Sequence, residues 1–197
     1  MFKLPPGTVI CKAVLKKRSK QEPVLTRDFA WFGHTLTVCR SYRISDSKGR
    51  NLDNVEYYEL MDELKLLDMS KPATIKKVRK DIGPIIDEGF NIENGVACRS
   101  SYEEKDIAIM EKIYEKYRNI YDGYIIPRRV KWCGEKSDFT PEMLVFDPGD
   151  KLIELGCDLM SMWKIGPKGK IYKRSVGTGN WYIYKGKHAP KSPFLST

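Results

Sequence analysis

The order of apolar segments along the chain predicts an α+β fold. Strand-like stretches occur early and again late in the chain, and the clearest amphipathic helix lies in the middle. The sequence contains no Walker loop and no GxGxxG motif, so a doubly wound nucleotide-binding fold is excluded. With 197 residues, 41% of them hydrophobic and 31% charged, the chain is long enough for one domain with its own core.

The N-terminal part alternates between strand-like and helix-like patterns. Residues 8–15 (TVICKAVL) are β-branched and apolar, follow Pro-Pro-Gly and predict a strand. Residues 29–42 begin with aromatic residues, break at Gly33 and continue with a spacing typical of a short helix. Residues 57–69 have helical propensity, but the compact second half, LKLLDM, predicts a buried strand.

The predicted helices lie in the middle of the chain. Residues 72–80 favour a short basic helix. Residues 102–117 favour a longer helix, because apolar residues recur there at steps of three and four, namely Ile109, Met110, Ile113, Tyr114 and Tyr117. We therefore expect the apolar side of this helix to pack on the rest of the domain.

Three consecutive strands are predicted after the helices, from the segments DGYIIP, FTPEMLVFDP and KLIEL. Turn signals occur at Gly134 and at Pro148-Gly149. The last forty residues contain GPKGK and GTGN turns between β-rich pieces, which predicts a C-terminal β-hairpin or meander. We expect residues 1–160 to form the α+β domain and residues 161–197 to form a β extension packed on it.

The net charge of +9 is concentrated at the two ends of the sequence. Residues 1–20 contain six basic and no acidic residues, and residues 161–197 contain eight basic and no acidic residues. Lysines interleaved with aromatic residues suit single-stranded nucleic acid, since phosphates need cations and bases need flat surfaces. The candidate nucleic-acid-binding residues are Lys164, Lys168, Lys170, Lys173, Arg174, Trp181, Tyr184, Lys185 and Lys187. A solvated hairpin with inward-packed aromatic residues explains the same pattern.

Cysteine and histidine usage predicts the compartment and the absence of a metal site. Five cysteines lie far apart without a CxxC pair, and the histidines are His34 and His188. This pattern indicates free thiols in a reducing, intracellular compartment. The compartment would be the cytoplasm or the nucleus, either of the cell that encodes the protein or of an infected host cell. We expect neither a membrane span nor secretion, because no long apolar run occurs and prolines follow the start of the chain directly.

Five short segments, taken in order, resemble the ADP-ribosyltransferase family, in its cellular, phage and large-virus branch. They are PPGTVICKAVL, FAWFGHTLTVCRSY, LKLLDM, YDGYIIP and FTPEMLVFDP, and they span roughly residues 5–155. The resemblance implies two small, mostly antiparallel sheets that form an NAD-binding cleft. It also implies a glycosyltransferase that takes NAD as its substrate, needs no metal, releases nicotinamide and transfers ADP-ribose to a protein or nucleic-acid acceptor.

The resemblance assigns roles to individual residues. Glu142 follows Pro141 at the expected beginning of the strand MLVF and would match the catalytic glutamate, which hydrogen-bonds the 2′-hydroxyl of the nicotinamide-side ribose and stabilises the oxocarbenium ion. The polar segment beside this ribose would be Gly33, His34 and Thr35. The aromatic wall around the nicotinamide would be Trp31, Phe32 and Tyr42. Asp122, Gly123 and Tyr124 would lie on the strand before the one that carries the glutamate, and would border the loop that selects the acceptor.

The first strand departs from the family pattern. Where the family has arginine or histidine, this chain has Lys12, which supplies a point charge for ribose or phosphate but not the bidentate fork of arginine. Two interpretations follow. Either the site is a variant with a different acceptor, or the fold binds NAD without catalysing the reaction.

Each assignment also has an ordinary structural explanation. The aromatic residues fit a core, Glu142 fits an acid at a strand end, and Lys12 fits a surface edge strand. An alternative function is that of a non-catalytic nucleic-acid-binding protein that uses the C-terminal segment. A third is that of the related tRNA 2′-phosphotransferases, whose set of basic residues cannot be placed on this sequence.

Overall fold

The protein, described by a computed structural model, contains eleven strands and three α-helices within residues 1–14, 23–34, 54–83, 104–129, 139–156 and 162–185. The elements are β1 (Phe2–Leu4), β2 (Val9–Val14), β3 (Phe29–Gly33), β4 (Asn54–Leu60), β5 (Leu64–Asp68), α1 (Pro72–Ile82), α2 (Glu104–Tyr117), β6 (Gly123–Arg129), β7 (Phe139–Phe146), α3 (Pro148–Lys151), β8 (Leu152–Gly156), β9 (Trp163–Ile165), β10 (Ile171–Arg174) and β11 (Trp181–Ile183). The α+β class, with helices in the middle of the chain, is confirmed.

Eight strands form one sheet in the order β1-β5-β6-β7-β3-β2-β4-β8. All neighbouring pairs are antiparallel except β5 and β6, which are parallel. The expected division into two small sheets is wrong for these strands, because β7 pairs with β6 on one side and with β3 on the other. Strand β7 therefore joins the two halves of what becomes a single sheet.

One segment with helical propensity is a strand in the structure. Residues 29–33, which run up to the break at Gly33, form β3, whose backbone pairs with β7; the short helix expected after Gly33 lies outside the described residues from position 35 onward. Residues 54–60 and 64–68 form separate strands, so the predicted strand at LKLLDM is confirmed and the stretch before it is also a strand. Pairing of residues 54–60 with β2 and β8 overrides their local helical propensity.

Helices α1 and α2 cover one face of the large sheet. Helix α1 begins with Pro72 and ends before Gly83, whose φ of 87° is readily adopted by glycine. The five apolar positions predicted for α2 are all buried, in one cluster with residues of β5, β6 and β7. Between the helices, the Tyr117 hydroxyl donates to Asp81 at 2.6 Å. Burial, reinforced by this hydrogen bond to Asp81, raises the pKa of Tyr117 to about 12.

The opposite face of the large sheet forms a second core. Phe32, Tyr58 and Met143 are buried there together with Leu4 of β1 and Leu152 of β8. Strands β1 and β8 are the two edges of the sheet, so this core extends across the full width of the sheet. Among the described residues, no helix is long and apolar enough to cross a bilayer.

The predicted C-terminal meander is confirmed as a three-stranded antiparallel sheet with the order β11-β10-β9. It packs on the large sheet through a cluster that joins Trp163 to Val9 of β2 and Tyr57 of β4. The side chain of Arg174 forms a bidentate ion pair with Glu59 of β4, at 2.7 and 3.0 Å. Apolar packing and this ion pair together hold the small sheet on the large one.

Candidate functional site

Glu142 lies in the middle of the large sheet. It is the fourth of the eight residues of β7, faces Gly33 on β3 and Ile126 on β6, and is only 2% exposed. Its expected position at the beginning of a strand is therefore wrong. Strand β7 continues through Pro141, which faces Pro127 of β6. Both prolines are tolerated because each lies beyond the end of pairing with the strand on its other side: β3 pairs with β7 only as far as Glu142, and β5 pairs with β6 only as far as Ile125.

The face that carries Glu142 is covered by two different layers. Residues directly opposite each other in antiparallel strands share a face, so Cys11, Gly33 and Glu142 form one row across three strands. On the same face, helices α1 and α2 cover the β5–β6–β7 side and the three-stranded sheet covers the β2–β4 side. Glu142 therefore lies in the row between the helical layer and the small sheet.

Trp31 shares this face and is a diagonal neighbour of Glu142, since Trp31 faces Leu144 and Gly33 faces Glu142. Its indole N–H donates to Met110 Sδ at 3.1 Å, and its ring contacts Tyr124 edge-on, with centroids 5.5 Å apart. The partly buried indole is thus held between α2 and β6. Of the three predicted wall residues, Trp31 is brought close to Glu142, and Tyr42 lies outside the described residues.

Phe32 and Lys12 lie on the opposite face of the sheet. Phe32 is buried in the second core, edge-on to Tyr58 with centroids 5.2 Å apart. Lys12 Nζ donates to the Trp31 carbonyl at 3.0 Å and lies 5.7 Å from the centre of the Phe32 ring. The structure therefore does not bring these two predicted NAD contacts to Glu142, because adjacent residues of a strand point to opposite faces.

A second buried carboxylate, Glu56, was missed by the sequence analysis. It is fully buried, faces Lys12 in the register of β2 and β4, and accepts a hydrogen bond from the Tyr58 hydroxyl at 2.5 Å. A strand over 54–60 would have predicted it, since Glu56 alternates with the buried residues Tyr58 and Leu60. Glu56 lies on the face opposite Glu142.

His34 follows β3 and contacts the turn between β10 and β11. Desolvation by burial lowers its pKa, and a hydrogen bond with the Gly177 backbone partly opposes this effect. Gly177 itself donates its N–H to the Val9 carbonyl at 2.6 Å. His34 therefore lies where the small sheet meets the large one, one residue beyond the Gly33–Glu142 pair. Thr35 lies outside the described residues.

We expect His34 to titrate below its unfolded value of about 6.5. Because its pKa is lowered in the folded protein, the ring is neutral at pH 7, and its contribution to stability is lost as the pH falls below about 6.5. Proton NMR titration of the two histidine rings measures this, and His34→Asn assigns the signals. A His34 pKa at or above 6.5 would contradict the burial described above.

Asp122, Gly123 and Tyr124 support the sheet. Asp122 accepts the Lys65 N–H at 2.8 Å and pairs with Lys151 at 2.8 Å. At Gly123 a Cβ atom would lie 2.0 Å from the Leu144 carbonyl oxygen, so only glycine fits. Tyr124 is buried under Trp31. Of these three residues, the structure places Tyr124 nearest to the Glu142 site, through its contact with Trp31.

No protein-family model, curated protein or solved structure matches this chain. Within the described ranges, no group of three or more histidine, cysteine, aspartate or glutamate side chains is arranged to hold a metal ion. The candidate site is therefore defined by its own geometry, and its central group is the Glu142 carboxylate.

The predicted nucleic-acid contacts divide into residues that support the fold and residues that are exposed. Arg174 is engaged by Glu59, and Tyr184 packs edge-on against Trp163 with centroids 4.7 Å apart, so both support the fold. Lys173 lies over the same Trp163 ring, at 5.0 Å. The exposed candidates are Lys164, Lys168, Lys170, Trp181 and Lys185. Lys187 lies outside the described residues.

Proposed function

We propose that the protein binds NAD and transfers its ADP-ribose to a protein or nucleic-acid acceptor with release of nicotinamide. The observation that carries the proposal is the position of Glu142, a carboxylate buried in the centre of a sheet and on the face between two covering layers. Burying a carboxylate in an apolar strand costs free energy of folding, and an apolar residue at this position would allow the same strand pairing without that cost. Its position in the fold makes this carboxylate a candidate for binding or chemistry.

The residue facing Glu142 supports this role. Gly33 contributes no side chain to the row between Cys11 and Glu142. Glycine inside a strand commonly marks close approach of a ligand or of another backbone. Trp31, held by Met110 and Tyr124, supplies a fixed aromatic surface on the same face. A carboxylate next to a flat apolar surface suits a ribose that carries a nicotinamide ring.

The proposed reaction breaks the bond between the ribose C1′ and the nicotinamide nitrogen. Nicotinamide leaves with the bonding electrons, positive charge develops on the ribose, and an acceptor nucleophile then bonds to C1′ and loses its proton. Glu142 would accept a hydrogen bond from the ribose 2′-hydroxyl and stabilise the developing positive charge. This electrostatic stabilisation is larger in a buried site than in water, because the local dielectric constant is lower.

The proposal gives no role to Lys12 or Phe32, since both lie on the other face of the sheet. His34 remains next to the site, because it follows Gly33 directly. A neutral imidazole, as its lowered pKa implies, suits a hydrogen bond to ribose better than an ion pair with phosphate. Phosphate contacts with the dinucleotide are thus not assigned to Lys12.

Calorimetric titration with NAD, together with measurement of released nicotinamide, tests the proposal. We expect saturable binding and slow release of nicotinamide, with ADP-ribose appearing free or attached to an acceptor. Binding without release would contradict the transferase reaction and leave a dinucleotide-binding protein. Absence of both would contradict the whole proposal.

A further inference from the structure

The outer face of the three-stranded sheet carries a distinct set of side chains. Lys164 on β9 faces Tyr172 on β10, and Tyr172 faces Ile183 on β11. Two residues further along β10, and therefore on the same face, Arg174 faces Trp181. The other face carries Trp163 and packs on the large sheet. Since alternate residues of a strand point to opposite faces, Lys164, Tyr172 and Trp181 share the face opposite Trp163. Arg174 lies at the end of this same face, and its side chain extends to Glu59.

Strand β11 exposes an unusual amount of apolar and aromatic surface. Three consecutive residues, Trp181, Tyr182 and Ile183, are 36%, 45% and 41% exposed. In the part of the chain that the structure describes, Trp181 and Tyr182 are the only aromatic residues among the exposed large hydrophobic side chains. Trp181 and Ile183 lie on the outer face with Tyr172, whereas Tyr182 faces Lys173 and points to the other face. An exposed indole beside exposed apolar surface is typical of a binding site.

The same surface is positively charged. Lys164 Nζ lies 4.3 Å from the centre of the Trp181 ring and 6.0 Å from that of Tyr172. Lys168 and Lys170 are exposed in the connection that precedes β10. No acidic residue occurs between positions 161 and 197, and Glu59, which the large sheet contributes nearby, is bound by Arg174. The lysine charges on this face are therefore not compensated from within the segment.

We propose that this outer face binds single-stranded nucleic acid, with a base stacked on Trp181 and backbone phosphates bound by Lys164, Lys168 and Lys170. The charge requires an anionic partner, and the exposed indole favours one with flat, unpaired rings. A duplex hides its bases from such stacking, and an acidic peptide offers charge without rings. This site is separate from Glu142 and does not depend on the proposed reaction with NAD.

Fluorescence anisotropy with the full chain tests the proposal. The probes are a labelled 20-nucleotide oligothymidylate and a duplex of the same length, each titrated at several salt concentrations. We expect the single strand to bind at least about 10-fold more tightly than the duplex, since one base stack contributes roughly 1–3 kcal/mol. We also expect log affinity to fall linearly with log salt.

Two variants test the assigned residues. Trp181→Ala is expected to weaken single-strand binding by about 10-fold, and Trp181→Phe is expected to retain most of it. The triple variant Lys164→Ala, Lys168→Ala, Lys170→Ala is expected to reduce the slope of log affinity against log salt by about 2. Each phosphate contact on a single strand contributes roughly 0.7 to this slope, and the variant removes three contacts. The slope reports on phosphate contacts, so it also tests the proposal if Trp181→Ala fails to fold.

The matched control removes three exposed lysines from the helical layer, Lys76, Lys80 and Lys112. This triple alanine variant changes the net charge equally and is expected to keep the affinity within about twofold and the slope unchanged. An equal loss in the control would overturn the site, because binding would then follow net charge alone. Equal binding of duplex, equal competition by polyglutamate, or no oligonucleotide binding at all would also overturn it.

Discussion

Glu142→Gln is expected to lower the rate of nicotinamide release by about 10²- to 10³-fold, the effect of removing one preorganised electrostatic group from an active site. Glutamine has the same shape and fits the same buried position on β7, but its neutral amide does not stabilise positive charge on the ribose. Because this interaction is made mainly in the transition state, the affinity for NAD should change by only a few-fold. Calorimetry and initial rates of release measure the two effects separately.

Glu56→Gln is the matched control for this prediction. Glu56 is also a buried glutamate of the large sheet, but it lies on the opposite face and binds Tyr58. Its substitution is expected to lower the stability of the protein and to leave the rate of nicotinamide release within about threefold of that of the unmodified protein. The control therefore tests whether the loss of any buried charge in the sheet slows the reaction. Unchanged release in Glu142→Gln, or equal loss in both variants, would contradict the assignment of Glu142.

Gly179→Ala is expected to destabilise the protein by about 2–5 kcal/mol. A Cβ atom at position 179 would lie 1.9 Å from the Gly7 carbonyl oxygen, where the turn after β10 rests against the chain leading into β2. Gly179 also has a φ of 74°, a conformation that costs an alanine roughly 1–2 kcal/mol. The remainder is the cost of forcing two backbones apart, about 1–3 kcal/mol for overpacked sites. Denaturant unfolding measures the sum.

Gly169→Ala separates the two contributions. Gly169 has a similar φ of 67° in the same part of the chain, but a Cβ atom there would meet nothing within 4 Å. We expect this variant to lose only the conformational part, about 1–2 kcal/mol. If both variants lose the same free energy of unfolding, the contact between Gly179 and Gly7 does not hold the small sheet in place.

Local sequence patterns predicted most of the elements but not how they pair. The spacing of Ile109, Ile113 and Tyr117 predicted α2 because helix periodicity is a local property. The pairing of Trp31 with Leu144 joins strands more than 100 residues apart, and no local pattern reports such a contact. The single large sheet follows from this long-range pairing, and so does the position of Glu142 within a strand.

In the candidate site, too, the sequence indicated which residues have suitable chemistry but not which of them the fold brings together. The sequence pointed to Glu142 and Trp31, which the fold brings onto one face. It also grouped Phe32 and Lys12 with them, although strand alternation alone separates Phe32 from Trp31. For Arg174 the sequence showed a charge but not its partner Glu59, which lies 115 positions earlier. Ion-pair partners distant in sequence are fixed only by the tertiary fold.

The central place of β7 determines when the large sheet is completed during synthesis. Without β7, strands β1, β5 and β6 form one group and strands β3, β2 and β4 another, and each group exposes the edge that β7 covers. Residues 139–146 are made late, so the edges of β6 and β3 that β7 covers stay open until then. Open edges are sites of intermolecular pairing, and long-range strand pairing is slow. The emerging protein therefore carries this aggregation risk until the strand that contains Glu142 has left the ribosome.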